Sequence, residues 1–139
     1  MEKLSQHFAR HEFACQDGEC RHCGGSAPVD SRLIEVLEVA RARIGKPFVI
    51  NSGFRCLVWN RTPRERGGPG SHDKSQHPRG TAADIRAIDG MTIGALADVL
   101  GDALVEVLGG EGGGIGKYNW GVHVDVRKGQ QVTHWDSRG

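Results

Sequence analysis

The chain has 139 residues, of which 37% are hydrophobic and 25% charged, and its 18 basic and 17 acidic side chains leave a net charge of +1. That size and composition give one globular domain with a single core and exclude a disordered chain. A nucleic-acid binder would carry a clear basic excess, and a membrane span needs about 20 consecutive apolar residues; the sequence has neither.

Residues 1–25 read as an irregular segment that holds three of the four cysteines. Met1 to Arg10 is polar and mixed in charge, so it does not read as a signal peptide, and synthesis in the cytoplasm is the expectation. Asp30 or Ser31 can cap a helix running to about Ile44, because Leu33, Val36, Leu37, Ala40 and Ile44 follow helical spacing and Gly45 and Pro47 stop it. Phe48 to Asn51 is a short apolar run, expected to be a buried strand. Residues 57–78 read as a long polar loop rich in Gly, Pro and Arg, and Ala82 to Arg86 as a strand. Thr92 can cap a second helix with Ile93, Leu96, Ala97 and Leu100 on one face; Gly101 is expected to interrupt it before Leu104 to Leu108. The glycine-rich stretches Gly67 to Gly70 and Gly109 to Gly116 read as long loops, of the kind that border functional sites or merely cover a surface.

Gly121 to Arg127 is the clearest strand. Val122, Val124 and Val126 alternate with His123, Asp125 and Arg127, so the valines enter the core and the polar three share the other face. Ala82, Asp84 and Arg86 likewise share one face. If the two strands are neighbours, Asp84 and His123 meet. His77, seven residues before Asp84 and separated from it by a glycine and small alanines, can turn out of the loop to join them. Two imidazoles and a carboxylate suit Zn²⁺, and three protein ligands leave a fourth position for water, as in catalytic zinc sites. Taken singly, each histidine can equally be a partly buried polar residue. The expected architecture is an α+β domain spanning residues 1–139: a small antiparallel sheet with helices packed on one face.

The stretch Ser75-x-His77-x-x-Gly80-x-Ala82-x-Asp84 resembles the S-x-H-x-x-G-x-A-x-D motif of the zinc D-Ala-D-Ala carboxypeptidase family, which includes VanX-type dipeptidases and phage L-alanyl-D-glutamate endopeptidases. The metal-site arrangement is also similar to that of murein endopeptidases and the Hedgehog signalling domain. Glu12 to Cys15, Asn51 to Cys56, Gly113 to Tyr118 and Val122 to Asp125 resemble further segments of the family, in the expected order and over most of the chain. The resemblance implies a Hedgehog/D-Ala-D-Ala-peptidase-like fold, one catalytic zinc on His77, Asp84 and His123, and hydrolysis of peptide bonds in peptidoglycan stem peptides. It implies a phage or prophage enzyme that reaches the cell wall after lysis or as part of a virion; the balanced charge and the lack of a long apolar run add the expectation of no nucleic-acid or membrane partner. Arg55 matches an arginine that contacts substrate and stabilises an oxyanion, a role suited to a permanently charged fork of donors; a structural ion pair is the alternative. Ser75 can bond substrate or a metal ligand, or only cap a turn. Tyr118 and Trp120 are expected to line the cleft, with core packing as the alternative.

The match fails at the general base. Many relatives carry an acid three positions before the last zinc histidine, where this chain has Trp120; murein endopeptidases often have a histidine two positions before it, where this chain has Gly121. Asp125 lies about 7 Å along the strand from His123 and can serve as base or instead orient His123 and pair with Arg127. Glu111 and His72 are weaker candidates. The missing acid keeps a second reading open, a catalytically silent, zinc-containing binding module of the cell wall or of a phage particle.

Cys20-x-x-Cys23 has the spacing of half a zinc knuckle, and Cys15 and Cys56 can complete a second, structural Cys₄ site, with His22 as a substitute ligand. Two disulfides or free thiols are the alternatives.

Overall fold

The computed structural model describes residues 2–72 and 74–139, and in it two long helices pack together over a five-stranded sheet. Helix α1, Ser31–Ile44, starts where the Asp30 carboxylate accepts the Arg32 N–H at 2.8 Å, and ends at Gly45. Helix α3, Ile93–Leu108, is capped by Thr92, whose hydroxyl accepts the Ala95 N–H at 3.0 Å. Gly101 does not interrupt α3, contrary to expectation. A mid-helix glycine costs about 1 kcal/mol, whereas each buried leucine returns about 1.5–3 kcal/mol, and Leu96, Leu100 and Leu104 are all buried on the face of α3 that meets the core.

The strands are β1, Ile50–Ser52; β2, Ala82–Arg86; β3, Gly114–Tyr118; β4, Gly121–Asp125; and β5, Thr133–Asp136, in the order β1-β2-β4-β3-β5. The α+β class is as expected, and the β1–β2, β2–β4 and β4–β3 pairings are antiparallel. Two strands are additions. The glycine-rich stretch expected as a loop forms β3, and β5 pairs with β3 in parallel, so the sheet is mixed at that edge. The first strand begins two residues later than expected, although Phe48 is buried. The polar stretch 57–78 contains a short helix α2, Leu57–Arg61, and two 3-10 turns, Arg64–Arg66 and His77–Arg79.

Ile85, Ile115, Val122 and Val124 face α1 and α3 across the core, as the alternation in β4 predicts. The N-terminal segment belongs to this core: Phe8 and Phe13 are buried, and the Phe8 ring lies 6.2 Å from Phe13 and 6.1 Å from Phe48. The opposite side of the sheet carries the polar residues. Among the described residues no helix is long and apolar enough to cross a membrane.

Candidate metal centre

Register delivers the first pair of candidate ligands. In the β2–β4 ladder Asp84 stands directly opposite His123, and period-two alternation sends both to the face away from the valines. His77 comes from the 3-10 turn just before β2. Its Nε2 lies 3.2 Å from Asp84 Oδ1, and His123 Nδ1 lies 3.0 Å from the same oxygen. The three potential donor atoms fall within 4.8 Å of one another, and all three residues are buried.

The outer bonds set the tautomers. His77 Nδ1–H donates to the Gly53 carbonyl at 2.7 Å, and His123 Nε2–H donates to Asp125 Oδ2 at 2.7 Å. In the neutral rings, His77 Nε2 and His123 Nδ1 therefore direct lone pairs at a carboxylate oxygen. Three lone-pair atoms converging in a buried space fit a divalent cation of the zinc type. Burial works to raise the Asp84 carboxyl, yet the adjoining histidines hold it well below the usual range. Burial works to lower His123, but its bonds to Asp125 and Asp84 raise it. The surroundings favour positive charge at this point, whether proton or metal.

Asp125 is fully buried. Its Oδ1 accepts from Arg127 Nε at 2.8 Å and from the Arg127 amide at 3.1 Å; its Oδ2 accepts from Arg127 Nη2 and His123 Nε2, both at 2.7 Å. Burial works against the charge, but the Arg127 and His123 bonds bring the carboxyl down to about 2. Arg55 is also engaged. Nε donates to Ser52 Oγ at 3.0 Å, Nη1 to Ser71 Oγ at 3.1 Å and to Asn60 Oδ1 at 3.4 Å, and Nη2 to Asp84 Oδ2 at 3.1 Å. Burial lowers the Arg55 pKa while the charge of Asp84 opposes that shift. A guanidinium has five N–H groups; these bonds use one on Nε, two on Nη1 and one on Nη2, which leaves one.

An open cleft of about 660 Å³ runs over the centre, lined in part by Arg55, His72, Tyr118, Trp120, Arg127 and Trp135. Tyr118 and Trp120 stack at 4.8 Å with ring planes 15° apart, and Trp120 is 40% exposed. They form a wall of the cleft and are not core. Ser75 lines the cleft too, and its Oγ accepts the His77 N–H at 3.3 Å, which is the turn-capping alternative. His72 lines the cleft, whereas Glu111 sits in the turn after α3 and does not. Cys15, Cys20, Cys23 and Cys56 gather in a separate cluster.

Two contributors escaped the sequence reading. Trp135, on the unanticipated β5, places its ring 5.2 Å from that of His123 and donates Nε1–H to the Tyr118 hydroxyl at 2.9 Å. A Cβ on Gly116 would lie 2.3 Å from the Trp135 indole, so only glycine lets the ring lie flat on β3. Asn60, fully buried, accepts from Arg55 and donates to the His72 carbonyl at 3.1 Å. Nothing in the local sequence marks a polar residue inside a polar stretch as buried, and four residues of β5 are too few to show alternation.

No curated protein matches the chain. A family profile for peptidase M15 matches residues 6–125, a span that includes His77, Asp84, His123 and the cysteine cluster. The convergent His-Asp-His set beneath an open cleft and that match together make the chain a member of the peptidase M15 family of metallopeptidases.

Proposed function

We propose that this protein is a zinc-dependent peptidase that hydrolyses peptide bonds in peptidoglycan stem peptides, with His77 Nε2, Asp84 Oδ1 and His123 Nδ1 as the ligands. The observation that carries the reading is the convergence of these three atoms at the floor of the cleft. Zinc bound there supplies Lewis acidity, polarising the scissile carbonyl and lowering the pKa of water toward about 7.

The chain's own residues do the rest. The Gly53 carbonyl and Asp125 fix the two imidazole tautomers. Arg55 holds the second oxygen of Asp84 and turns its remaining N–H toward substrate, where it supports charge developing on the carbonyl oxygen. Asp125 is a positioning residue and not the base, because both its oxygens are committed and its carboxyl is a weak proton acceptor. Arg64 adds positive charge to the cleft, which favours peptides bearing free carboxylates, as stem peptides do. The Tyr118–Trp120 stack offers a flat apolar surface to the peptide. A phage or prophage setting, with access to the wall through lysis or on a virion, completes this reading.

One observation favours a silent binding module instead: among the described residues lining the cleft, Asp84 is the only carboxylate. His72 and Tyr118 are then the remaining cleft groups able to exchange a proton. Turnover separates the readings. Zinc-loaded protein incubated with murein fragments is expected to release new peptide ends detectable by mass spectrometry. Loss of a terminal D-Ala identifies a carboxypeptidase and internal cuts an endopeptidase. Intact fragments, recovered bound to the protein, reject catalysis.

A further inference from the structure

The four cysteines play no part in the peptidase reading. Their Sγ atoms lie within 4.8 Å of one another, Cys15 and Cys20 are buried, and all four are free of disulfides. The Cys20 and Cys56 sulfurs stand 3.6 Å apart. A disulfide requires about 2.05 Å. Four sulfurs each about 2.3 Å from a central zinc are separated by about 3.8 Å in a tetrahedron. The observed spacing is that of ligands to one ion.

A backbone amide also meets the sulfurs: the Cys56 N–H points at Cys15 Sγ at 3.4 Å. Amide dipoles aimed at sulfur stabilise negative charge there and hold the ligand in orientation. Between the first two cysteines, Gln16 and Asp17 take φ values of 49° and 55°. Such values are costly for residues other than glycine and persist where the surroundings fix them.

We propose that Cys15, Cys20, Cys23 and Cys56 bind a structural zinc ion, distinct from the one in the cleft, that clamps the N-terminal segment onto Gly53–Cys56 and so braces the catalytic centre. Four sulfur ligands close the coordination shell and leave no place for water or substrate, which makes this ion structural. Binding releases the thiol protons. The bracing runs through three neighbours of Cys56: Gly53 holds His77, Phe54 donates its N–H to the Phe13 carbonyl at 2.9 Å, and Arg55 holds Asp84. A Cβ on Gly53 would lie 2.6 Å from Phe13 Cα, so the two segments are in direct backbone contact.

The test counts metal in the full chain, independently of activity. Protein expressed with zinc is expected to carry two equivalents, His77→Ala to retain one, and Cys20→Ser/Cys23→Ser to lose the other. A His77→Ala protein free of zinc, with four titratable thiols or with disulfides by mass spectrometry, overturns the proposal. Should the serine variants fail to fold, His77→Ala loaded with cobalt decides the matter: intense thiolate-to-cobalt charge-transfer absorption supports the site, and its absence rejects it. The bracing is read separately. Release of the sulfur-bound zinc from otherwise native protein by a thiol-reactive mercurial is expected to weaken zinc affinity at the cleft by about 10–100-fold, the range for loss of outer support. Unchanged affinity there overturns the bracing. Peptidase activity enters none of these readouts, so failure here leaves the peptidase reading intact; the zinc retained by His77→Ala is independent of that reading, and the bracing alone rests on it, because its readout needs zinc in the cleft.

Discussion

At the His77–Asp84–His123 centre two of the three ligands sit on adjacent strands, and their meeting follows from antiparallel register. At the cysteine cluster no ligand lies in a strand or an α-helix: Cys15 opens the 3-10 turn Cys15–Gly18, Cys20 lies in irregular chain, Cys23 in a turn, and Cys56 is the residue before α2. Register places the first set whether or not a cation arrives, and each ligand has a fixed outer partner. The second set is held by the Cys56 amide, aimed at Cys15 Sγ, and by contact between its own sulfurs. A centre that performs chemistry is here built on rigid elements, while one that supplies order joins segments that have little of their own.

Removing a ligand tests the sharper half of that contrast. Asp84→Ala is expected to bring hydrolysis of murein fragments to background while circular dichroism stays native, because valine burial and not the ligand holds β2 against β4; activity above a tenth of wild type would break the metal assignment. Asp125→Asn is the next largest. It keeps the shape but loses the charge that orients His123, and zinc affinity by competitive chelation is expected to fall about 10–100-fold. An enzyme that binds zinc normally yet loses all turnover would instead make Asp125 a proton carrier. Gly116→Ala probes the wall of the cleft. The new methyl group displaces Trp135, at about 1–3 kcal/mol of overpacking, visible as a shift in urea midpoint and a raised KM; an unchanged KM would remove Trp135 from the substrate site.

The smallest effect lies in acid. The Asp125 carboxyl is lowered from 3.8 to about 2 by Arg127 and His123 against the pull of burial. A group depressed in the folded state stabilises it fully above the unfolded pKa and loses that contribution as pH falls through the folded value. In metal-free protein, stability should therefore decline as pH falls from 3.8 to about 2, and Asp125→Asn should flatten that part of the curve. Parallel curves for the two proteins would contradict the ion pair.

How much of this was legible from the amino acids divides along the same line. The alternation in β4 put His123 on the face away from the valines and Asp84 on a face shared with Ala82 and Arg86, so the two could meet if the strands were neighbours; the pairing of β2 with β4 that sets them opposite each other is a long-range contact that local pattern does not carry. Asp30, Thr92 and Gly45 marked helix ends correctly. The failures share a cause. β3 reads as a loop because glycine is a poor strand former, but Gly116 is present to receive the Trp135 ring, and that ring arrives on a strand with no pattern of its own. Gly101 reads as a helix break because its cost is local while the leucine burial that outweighs it is not. The Arg55–Asp84 ion pair was visible only as one of two alternatives, since Asn60 and Ser71, which also bond Arg55, lie in a stretch without periodicity.

The chain holds three tryptophans, and they are distributed in a useful way. Trp120 and Trp135 stand on the cleft, the latter beside His123, while Trp59 lines a separate pocket with Gln16, Asp17 and Glu19 of the cysteine-bearing segment. Intrinsic fluorescence is therefore partitioned between the two centres. A variant retaining only Trp59 would report occupancy of the cysteine cluster, and one retaining only Trp135 would respond at the histidines, which turns an unlabelled polypeptide into a two-channel optical sensor of its own metallation.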